Sequence, residues 1–100
     1  MAEQWELDTL LAINNERNEL GLPLLEWDES MALETANYWS SPLQAQNVIK
    51  AIDCPHWTSP KKICNLLWCD ELCNYYAKFA AVVICNDNVC SHIALALKGG

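Results

Sequence analysis

Two segments of the chain place a cysteine two residues before a histidine: Cys54 precedes His56, and Cys90 precedes His92. A cysteine becomes a nucleophile when a neighbouring histidine takes its proton and stabilises the thiolate. These residue types raise the hypothesis of a cysteine-dependent hydrolase that uses Cys54 or Cys90 with a histidine. A separation of two residues does not by itself bring the thiol to the imidazole. We therefore keep catalysis as the alternative and expect a protein that is not an enzyme.

Six cysteines in 100 residues is a density typical of small domains held together by disulfide bonds in an oxidising compartment. Cysteines that share a helix are poorly placed to pair with each other, because their Cα–Cβ bonds are nearly parallel. Each of them would need a partner on another element. The disulfide candidates are Cys54, Cys64, Cys69, Cys73, Cys85 and Cys90.

Two other interpretations of the cysteines remain open. Structural zinc prefers closely paired cysteines, whereas three or four residues separate the nearest ones here, so we expect no metal site and no cofactor. Reduced thiols that pack as small apolar side chains would instead fit a cytosolic protein-interaction domain.

Length and charge limit the classes of function. A chain of 100 residues is one domain, which we place at residues 1–100. Its net charge of -7 disfavours nucleic-acid binding, since that requires several basic contacts. The longest apolar runs are too short for a membrane span, and the acidic first residues do not form a signal peptide. These features leave either a cytosolic protein or a secreted one in its mature form; we expect the extracellular, mature form, with a cytoplasmic location as the alternative.

The first half of the chain has the pattern of helices. Apolar residues recur at helical spacing over residues 7–20, and Gly21 suits the position after a helix end. Asp28 can cap a second helix that carries Met31, Ala32 and Trp39. Ser41 and the following proline resemble a third helix start, which would bury Leu43, Val48, Ile49 and Ile52.

The second half predicts one more helix and a hairpin. Ser59 and Pro60 favour a helix start, and we expect that helix to reach about Tyr76, with Ile63, Leu66, Leu67 and Cys73 on its buried face. Residues 79–85 and 89–97 suit two strands joined by the turn residues 86–88. Together the elements predict an α/β fold in which N-terminal helices pack on a small C-terminal sheet.

The N-terminal half also resembles the CAP superfamily, which includes cysteine-rich secretory proteins, antigen 5 and pathogenesis-related proteins. Members open with H-N-x-x-R on a helix, continue to L-x-W-D, and carry A-x-x-W or A-x-x-Y on a second helix. Asn14 stands where the family has histidine. The matching residues are Asn15, Arg17, Leu24 or Leu25, Trp27, Asp28, Ala36 and Trp39.

The C-terminal half resembles the family at fewer positions. His56 corresponds to a loop histidine, Glu71 to a carboxylate in W-x-x-E-x-x-x-Y, and Lys78 to the position of a second histidine. Family members place two histidines and two glutamates in a central cleft that can hold a divalent metal. The resemblance therefore implies a shortened CAP domain, an α-β-α sandwich, with a vestigial cleft formed by His56, Glu71 and Lys78.

The resemblance also implies a function. We expect a secreted, CAP-like binding or defence-related protein whose partner is another protein or an apolar small molecule such as a sterol or fatty acid. Trp27, Trp39 and Trp68 suit packing positions, whereas Trp5 and Trp57 lie near element ends and suit exposure. An open sheet edge would allow a homodimer.

Overall fold

A computed structural model describes residues 2–100 of the chain. Its helices are α1 (Gln4–Glu19), α2 (Glu29–Thr35) and α3 (Pro60–Leu67), and two short 3-10 turns cover Pro42–Gln44 and Asp70–Cys73. Its strands are β1 (Glu26–Trp27), β2 (Val48–Cys54), β3 (Ala77–Asn86) and β4 (Ser91–Gly99). The strands form a single mixed sheet in the order β1-β3-β4-β2.

Helices cover both faces of the sheet. On one face, α1 and α3 contribute Leu10, Ile13, Ile63 and Leu67 to the larger apolar core, which includes Val82 and Leu95 from the sheet. On the other face, α2 packs Met31 and Ala32 against Ala81, Val83 and Ala96. This arrangement has three layers. It confirms the predicted α/β fold and its α-β-α layering.

α1 ends and α2 begins as the sequence indicates, but α1 already starts at Gln4, and α2 ends at Thr35, before Trp39, which was expected on it. α1 ends at Glu19, and Gly21 follows with a φ of 74°, a backbone conformation that glycine adopts without steric cost. α2 begins after Asp28, whose side chain accepts a hydrogen bond from the backbone N–H of Met31 at 2.8 Å. The chain between the helices forms β1, which pairs in parallel with β3 through Glu26 and Trp27.

The predicted third helix is wrong. Pro42 starts only a 3-10 turn, Leu43 is 92% exposed, and Val48–Cys54 forms β2, which pairs antiparallel with β4. An apolar segment this short is compatible with either a buried helix or a strand. Pairing with β4 provides partners for the backbone groups of β2 and decides the outcome.

The predicted helix from Ser59 to about Tyr76 is half as long in the structure. The Ser59 hydroxyl caps α3 by accepting from Lys62 N–H, but the helix ends at Leu67, and Trp68 has extended backbone angles. Cys64 therefore lies on α3, Cys69 in the connection and Cys73 at the end of a separate turn. Leu66, expected on the buried face, is exposed.

The predicted hairpin is confirmed, with longer strands and a shifted loop. β3 and β4 pair from Ala77 opposite Gly99 to Asn86 opposite Ser91, so the loop contains residues 87–90. Cys85 lies opposite His92, and Cys90 belongs to the loop. The two cysteines are therefore not cross-strand partners.

The tryptophans follow the expectations in part. Trp27 and Trp68 are half-buried and pack against the larger core, and Trp57 is exposed. Trp39 is 39% exposed instead of packing in the core, because α2 ends before it at Thr35. Trp5, which was expected to be exposed, is instead half-buried and packs against the larger core. Within residues 2–100, no helix combines the length and apolar character needed to cross a membrane.

Candidate functional site

Arg17 on α1 is fully buried and holds two separate segments of the chain together. Its Nε donates to the carbonyl of Pro23 at 2.9 Å, and its Nη1 donates to the carbonyls of Leu72 at 2.7 Å and Asn74 at 3.1 Å. Its Nη2 lies 3.5 Å from the carbonyl of Ala77. Burial lowers the pKa of the guanidinium, which still remains charged in proteins. Arg17 thus fixes the loop after α1 beside the start of β3.

Asn14 fixes the same loop one turn earlier on α1. Its side-chain Nδ2 donates to the carbonyl of Leu25 at 3.0 Å, and its Oδ1 accepts from the N–H of Leu25 at 2.8 Å. The amide thus pairs with Leu25 as a neighbouring strand would. Leu25 is buried, which leaves Leu24 pointing away from the core and 58% exposed.

The two segments held by Arg17 line an open groove of about 410 Å³, here called the Tyr76 groove. Its apolar side chains include Leu24 and Tyr76, both exposed, and charged side chains occur at Glu26 and Lys78. Pockets for small ligands commonly start at about 300 Å³ and combine apolar walls with a few polar groups. The full lining is Pro23, Leu24, Glu26, Tyr75, Tyr76, Ala77, Lys78 and Gly100.

A smaller cavity of about 230 Å³ adjoins this groove and shares Tyr76 and Ala77 with it. Glu71 and Lys98 are among the residues that line it. Hydrogen bonds from its own backbone N–H and from the Cys69 thiol lower the pKa of Glu71. Lys98 also forms an ion pair with Asp28 at 2.8 Å.

The three predicted cleft residues are divided between two ends of the sheet. Glu71 and Lys78 line the adjoining cavities near Ala77, which lies opposite the last residue of β4. His56 lies two residues beyond Cys54, which is opposite the first residue of β4. At about 3.3 Å per strand residue, these ends are about 25 Å apart. Glu71 and Lys78 thus line neighbouring cavities at one end of the sheet, and His56 lies at the other end.

A second group of polar side chains lies at the other end of the sheet, and we call it the His92 cluster. It consists of Asp53, Asp87, Cys90 and His92. His92 Nδ1 lies 2.6 Å from Asp53 Oδ1, and His92 Nε2 lies 2.5 Å from Asp87 Oδ2. Cys90 Sγ is 4.0 Å from His92 Nε2. The Trp39 ring lies beside the imidazole, with 6.1 Å between ring centroids.

Local structure explains why these side chains meet. Asp53 on β2 is the direct cross-strand partner of His92 on β4, so both project from the same face of the sheet. Asp87 begins the hairpin loop, and its Oδ1 accepts from the N–H groups of Val89 and Cys90 at 2.7 and 2.9 Å. This turn leaves Oδ2 directed at His92.

The two carboxylates determine the charge of His92. Hydrogen bonds to Asp87 and then to Asp53 raise the pKa of the imidazole, because both ring nitrogens donate when it is protonated. The Cys90 N–H, His92 and the Val89 N–H lower the pKa of Asp87 far below its usual range. The two carboxylates thus favour the cationic form of the imidazole.

Cys90 has the wrong electrostatics for a catalytic nucleophile. Desolvation raises the pKa of its thiol, and the charges of Asp87 and Asp53 raise it further. Reactive cysteines are activated by positive surroundings that lower the thiol pKa. Cys54, the other candidate, is buried, and desolvation also raises the pKa of its thiol. All six cysteines are free thiols in the structure.

The sequence indicated Cys90 and His92 as a pair but neither aspartate of the His92 cluster. The pattern over residues 41–52 predicts a helix that ends just before Asp53, which hides the pairing of Asp53 with His92. A strand at this position would have indicated pairing with the β4 segment. The Asn86–Asn88 turn signal was present, and Asp87 in it is the residue that reaches His92.

Comparisons with known proteins found no counterpart. No protein-family model matches the chain, and neither a curated protein nor a solved structure matches it.

Proposed function

We propose that this chain is a non-catalytic binding protein that takes an apolar ligand with an anionic head, of the fatty-acid class, in the Tyr76 groove. The observation that carries the proposal is the exposed apolar surface of Leu24, Tyr75 and Tyr76 around one concave site with Lys78 at its margin. Concave apolar surfaces with a few polar groups are the usual form of small-ligand sites.

The apolar wall offers a ligand substantial surface to cover. Leu24 is 58% exposed and Tyr76 is 82% exposed. Covering a leucine or tyrosine side chain stabilises a complex by roughly 1.5–3 kcal/mol when burial is complete. Exposed apolar residues grouped at a concavity are characteristic of interaction sites.

Of the two charged side chains that line the groove, Lys78 can pair with a carboxylate head, whereas Glu26 is anionic. Lys78 is exposed at the groove, and its Nζ lies 5.5 Å from the centroid of the Phe79 ring. Phe79 does not line the groove, so the exposed ammonium would swing from this ring to meet a ligand anion. A sterol has no charged head, so the charge of Lys78 favours a fatty acid over a sterol.

The residues at the two ends of the sheet support a binding function without catalysis. The cleft groups implied by the CAP resemblance are separated, since His56 lies about 25 Å from Lys78 along the sheet. The thiol of Cys90 has a raised pKa, which opposes the formation of a nucleophile.

The CAP resemblance supports an extracellular, defence-related role for this binding protein, and the six cysteines are compatible with an oxidising compartment. Intact mass before and after reduction tests this part of the proposal. Three disulfides in the natural protein would raise the mass by about 6 Da on reduction. An unchanged mass would favour the cytoplasmic alternative.

Isothermal titration of the full chain with a soluble, medium-length fatty acid tests the ligand class. We expect one site per chain, and we expect Leu24→Ala to weaken binding by about tenfold, since tenfold corresponds to roughly 1.4 kcal/mol. Leu11→Ala is the matched control, because Leu11 is also 59% exposed but lies on α1 outside the groove.

Substitution of Lys78 tests the head group. Lys78→Met should weaken fatty-acid binding by about threefold, the scale of an exposed ion pair, and should leave binding of the corresponding alcohol unchanged. Lys61→Met on α3 is the control. Binding of a sterol in place of the fatty acid, or equal effects of both leucine variants, would contradict the proposal.

A further inference from the structure

The side chains of the His92 cluster take no part in the ligand site proposed at the Tyr76 groove. It brings a nitrogen, a sulfur and an oxygen donor to one end of the sheet, and Asp53, Cys90 and His92 each have a donor atom within 4.8 Å of the other two. These residues come from β2, the hairpin loop and β4. Their approach depends on tertiary structure, since 39 residues separate Asp53 from His92.

We propose that Asp53, Cys90 and His92 form a zinc site in the thiol form of the protein, with Asp87 holding the second nitrogen of the histidine. The ion takes the place of the proton between His92 Nδ1 and Asp53 Oδ1. A water molecule completes the tetrahedral coordination that zinc prefers.

The three donors are gathered but must adjust to hold the ion, because Cys90 Sγ lies 4.0 Å from Nε2, the nitrogen that Asp87 holds, and has to turn toward Nδ1. Zinc bonds to sulfur at about 2.3 Å and to nitrogen or oxygen at about 2.1 Å, so tetrahedral ligand atoms lie roughly 3.4–3.6 Å apart. Nδ1 and the Asp53 oxygen, now 2.6 Å apart, must separate by about 0.8 Å. The Asp53 side chain is exposed and can move by this amount, because solvent surrounds it.

Asp87 supplies the support that a metal-binding histidine usually has. Metal-ligating histidines commonly donate their other N–H to a carboxylate, which fixes the ring orientation and makes the ligating nitrogen a better donor. Asp87 Oδ2 already accepts from His92 Nε2 at 2.5 Å. Asp87 is itself fixed by the loop N–H groups of Val89 and Cys90, so the ring is oriented before an ion arrives.

Charge and ligand type select the class of ion. Nitrogen and sulfur donors with one carboxylate suit a borderline dication such as zinc better than Mg²⁺ or Ca²⁺, which prefer oxygen. The bound dication deprotonates the coordinating thiol, and the proton passes to solvent. The negative net charge of the chain favours cation binding in general.

Titration of the reduced full chain with Co²⁺, a spectroscopic substitute for zinc, tests the site. We expect one equivalent to bind with a thiolate-to-cobalt charge-transfer band, and Zn²⁺ to displace it. His92→Gln and Cys90→Ser should abolish the band. His56→Gln and Cys73→Ser are the matched controls, because they remove the other histidine and an exposed cysteine elsewhere.

Two further variants separate the roles of the aspartates. Asp53→Asn should weaken metal binding by at least tenfold as a lost ligand, and Asp87→Asn should weaken it by about tenfold as a lost support for the ring. Far-UV circular dichroism of each variant shows whether the fold is retained. Quenching of Trp39 fluorescence by Co²⁺, absent in Trp39→Phe, gives a second readout that does not depend on the thiol band.

Several outcomes would overturn the proposal. The first is the absence of a charge-transfer band at one equivalent of Co²⁺. The second is a band that is still present in His92→Gln and in Cys90→Ser. The third is a band that His56→Gln removes as completely as His92→Gln does. Binding that all variants share would show an adventitious ion only. Fatty-acid binding at the Tyr76 groove is measured without metal, so failure of either proposal leaves the other standing.

Discussion

The Nη1 atom of Arg17 lies 2.7 Å from the carbonyl oxygen of Leu72, 55 residues away in the sequence. Nε of the same guanidinium donates to Pro23, and thus one buried side chain joins both walls of the Tyr76 groove. A guanidinium has five N–H donors in a rigid plane, so it can donate to three or four surrounding carbonyls at once. The groove therefore depends on α1, although α1 does not line it.

Arg17→Lys should destabilise the protein strongly. Lysine keeps the charge but cannot reach all of these carbonyls, and buried carbonyls without a donor are costly. We expect a loss of about 2–4 kcal/mol in the free energy of unfolding, measured by urea denaturation. Lys61→Met, which removes an exposed cation, should change it by less than about 0.5 kcal/mol. A loss below 1 kcal/mol for Arg17→Lys would show that the carbonyls find other donors.

Acid should weaken the contact between α2 and β4 through Asp28. The ion pair with Lys98 and the hydrogen bond from Met31 N–H lower the pKa of Asp28 from its usual 3.8. A carboxyl with a lowered folded-state pKa stabilises the protein above its unfolded pKa and loses this contribution as the pH falls through the folded pKa. Stability should therefore decline below pH 3.8 in part through this group.

Thermal denaturation of Asp28→Asn tests that pH dependence. Asparagine can still cap α2, but it does not titrate. We expect the Tm of the variant to be lower than that of the wild type at pH 6 and to fall less between pH 6 and pH 3. Glu34→Gln, on an exposed position of the same helix, is the control. Equal acid losses in the wild type and Asp28→Asn would contradict the assignment.

The thiols should differ widely in reactivity when reduced. Burial raises the pKa of Cys64 to about 11, so few thiolates form near neutral pH, and the side chain is almost fully inaccessible. Cys73 and Cys85 are exposed. Iodoacetamide labelling followed by peptide mass mapping should modify Cys73 well before Cys64, at least tenfold faster. Comparable rates in the native protein would show that α3 opens readily.

The sequence predicts correctly those helix ends and turns that depend on residues close to them in the chain. Gly21 and the Asp28 cap mark helix boundaries because their backbone and side-chain preferences act within a few residues. The hairpin was predictable for the same reason, since its turn residues adjoin the strands they connect.

The remaining elements depend on distant partners. Val48–Cys54 is a strand because β4 supplies its hydrogen bonds, and no local pattern distinguishes it from a short buried helix. Because this segment was predicted as a helix, the pairing of Asp53 with His92 could not be predicted. Arg17 was predicted only as a match to the CAP pattern, and its role in joining the walls of the groove became visible from its carbonyl partners.

Amide chemical-shift mapping of the ¹⁵N-labelled full chain during fatty-acid titration tests the central claim most directly. The account predicts saturable shifts confined to residues 23–26, 75–78 and the neighbouring end of β4, with the loop at residues 87–90 unaffected. Absence of saturable shifts, or shifts centred on the hairpin loop or the outer face of β2, would contradict it.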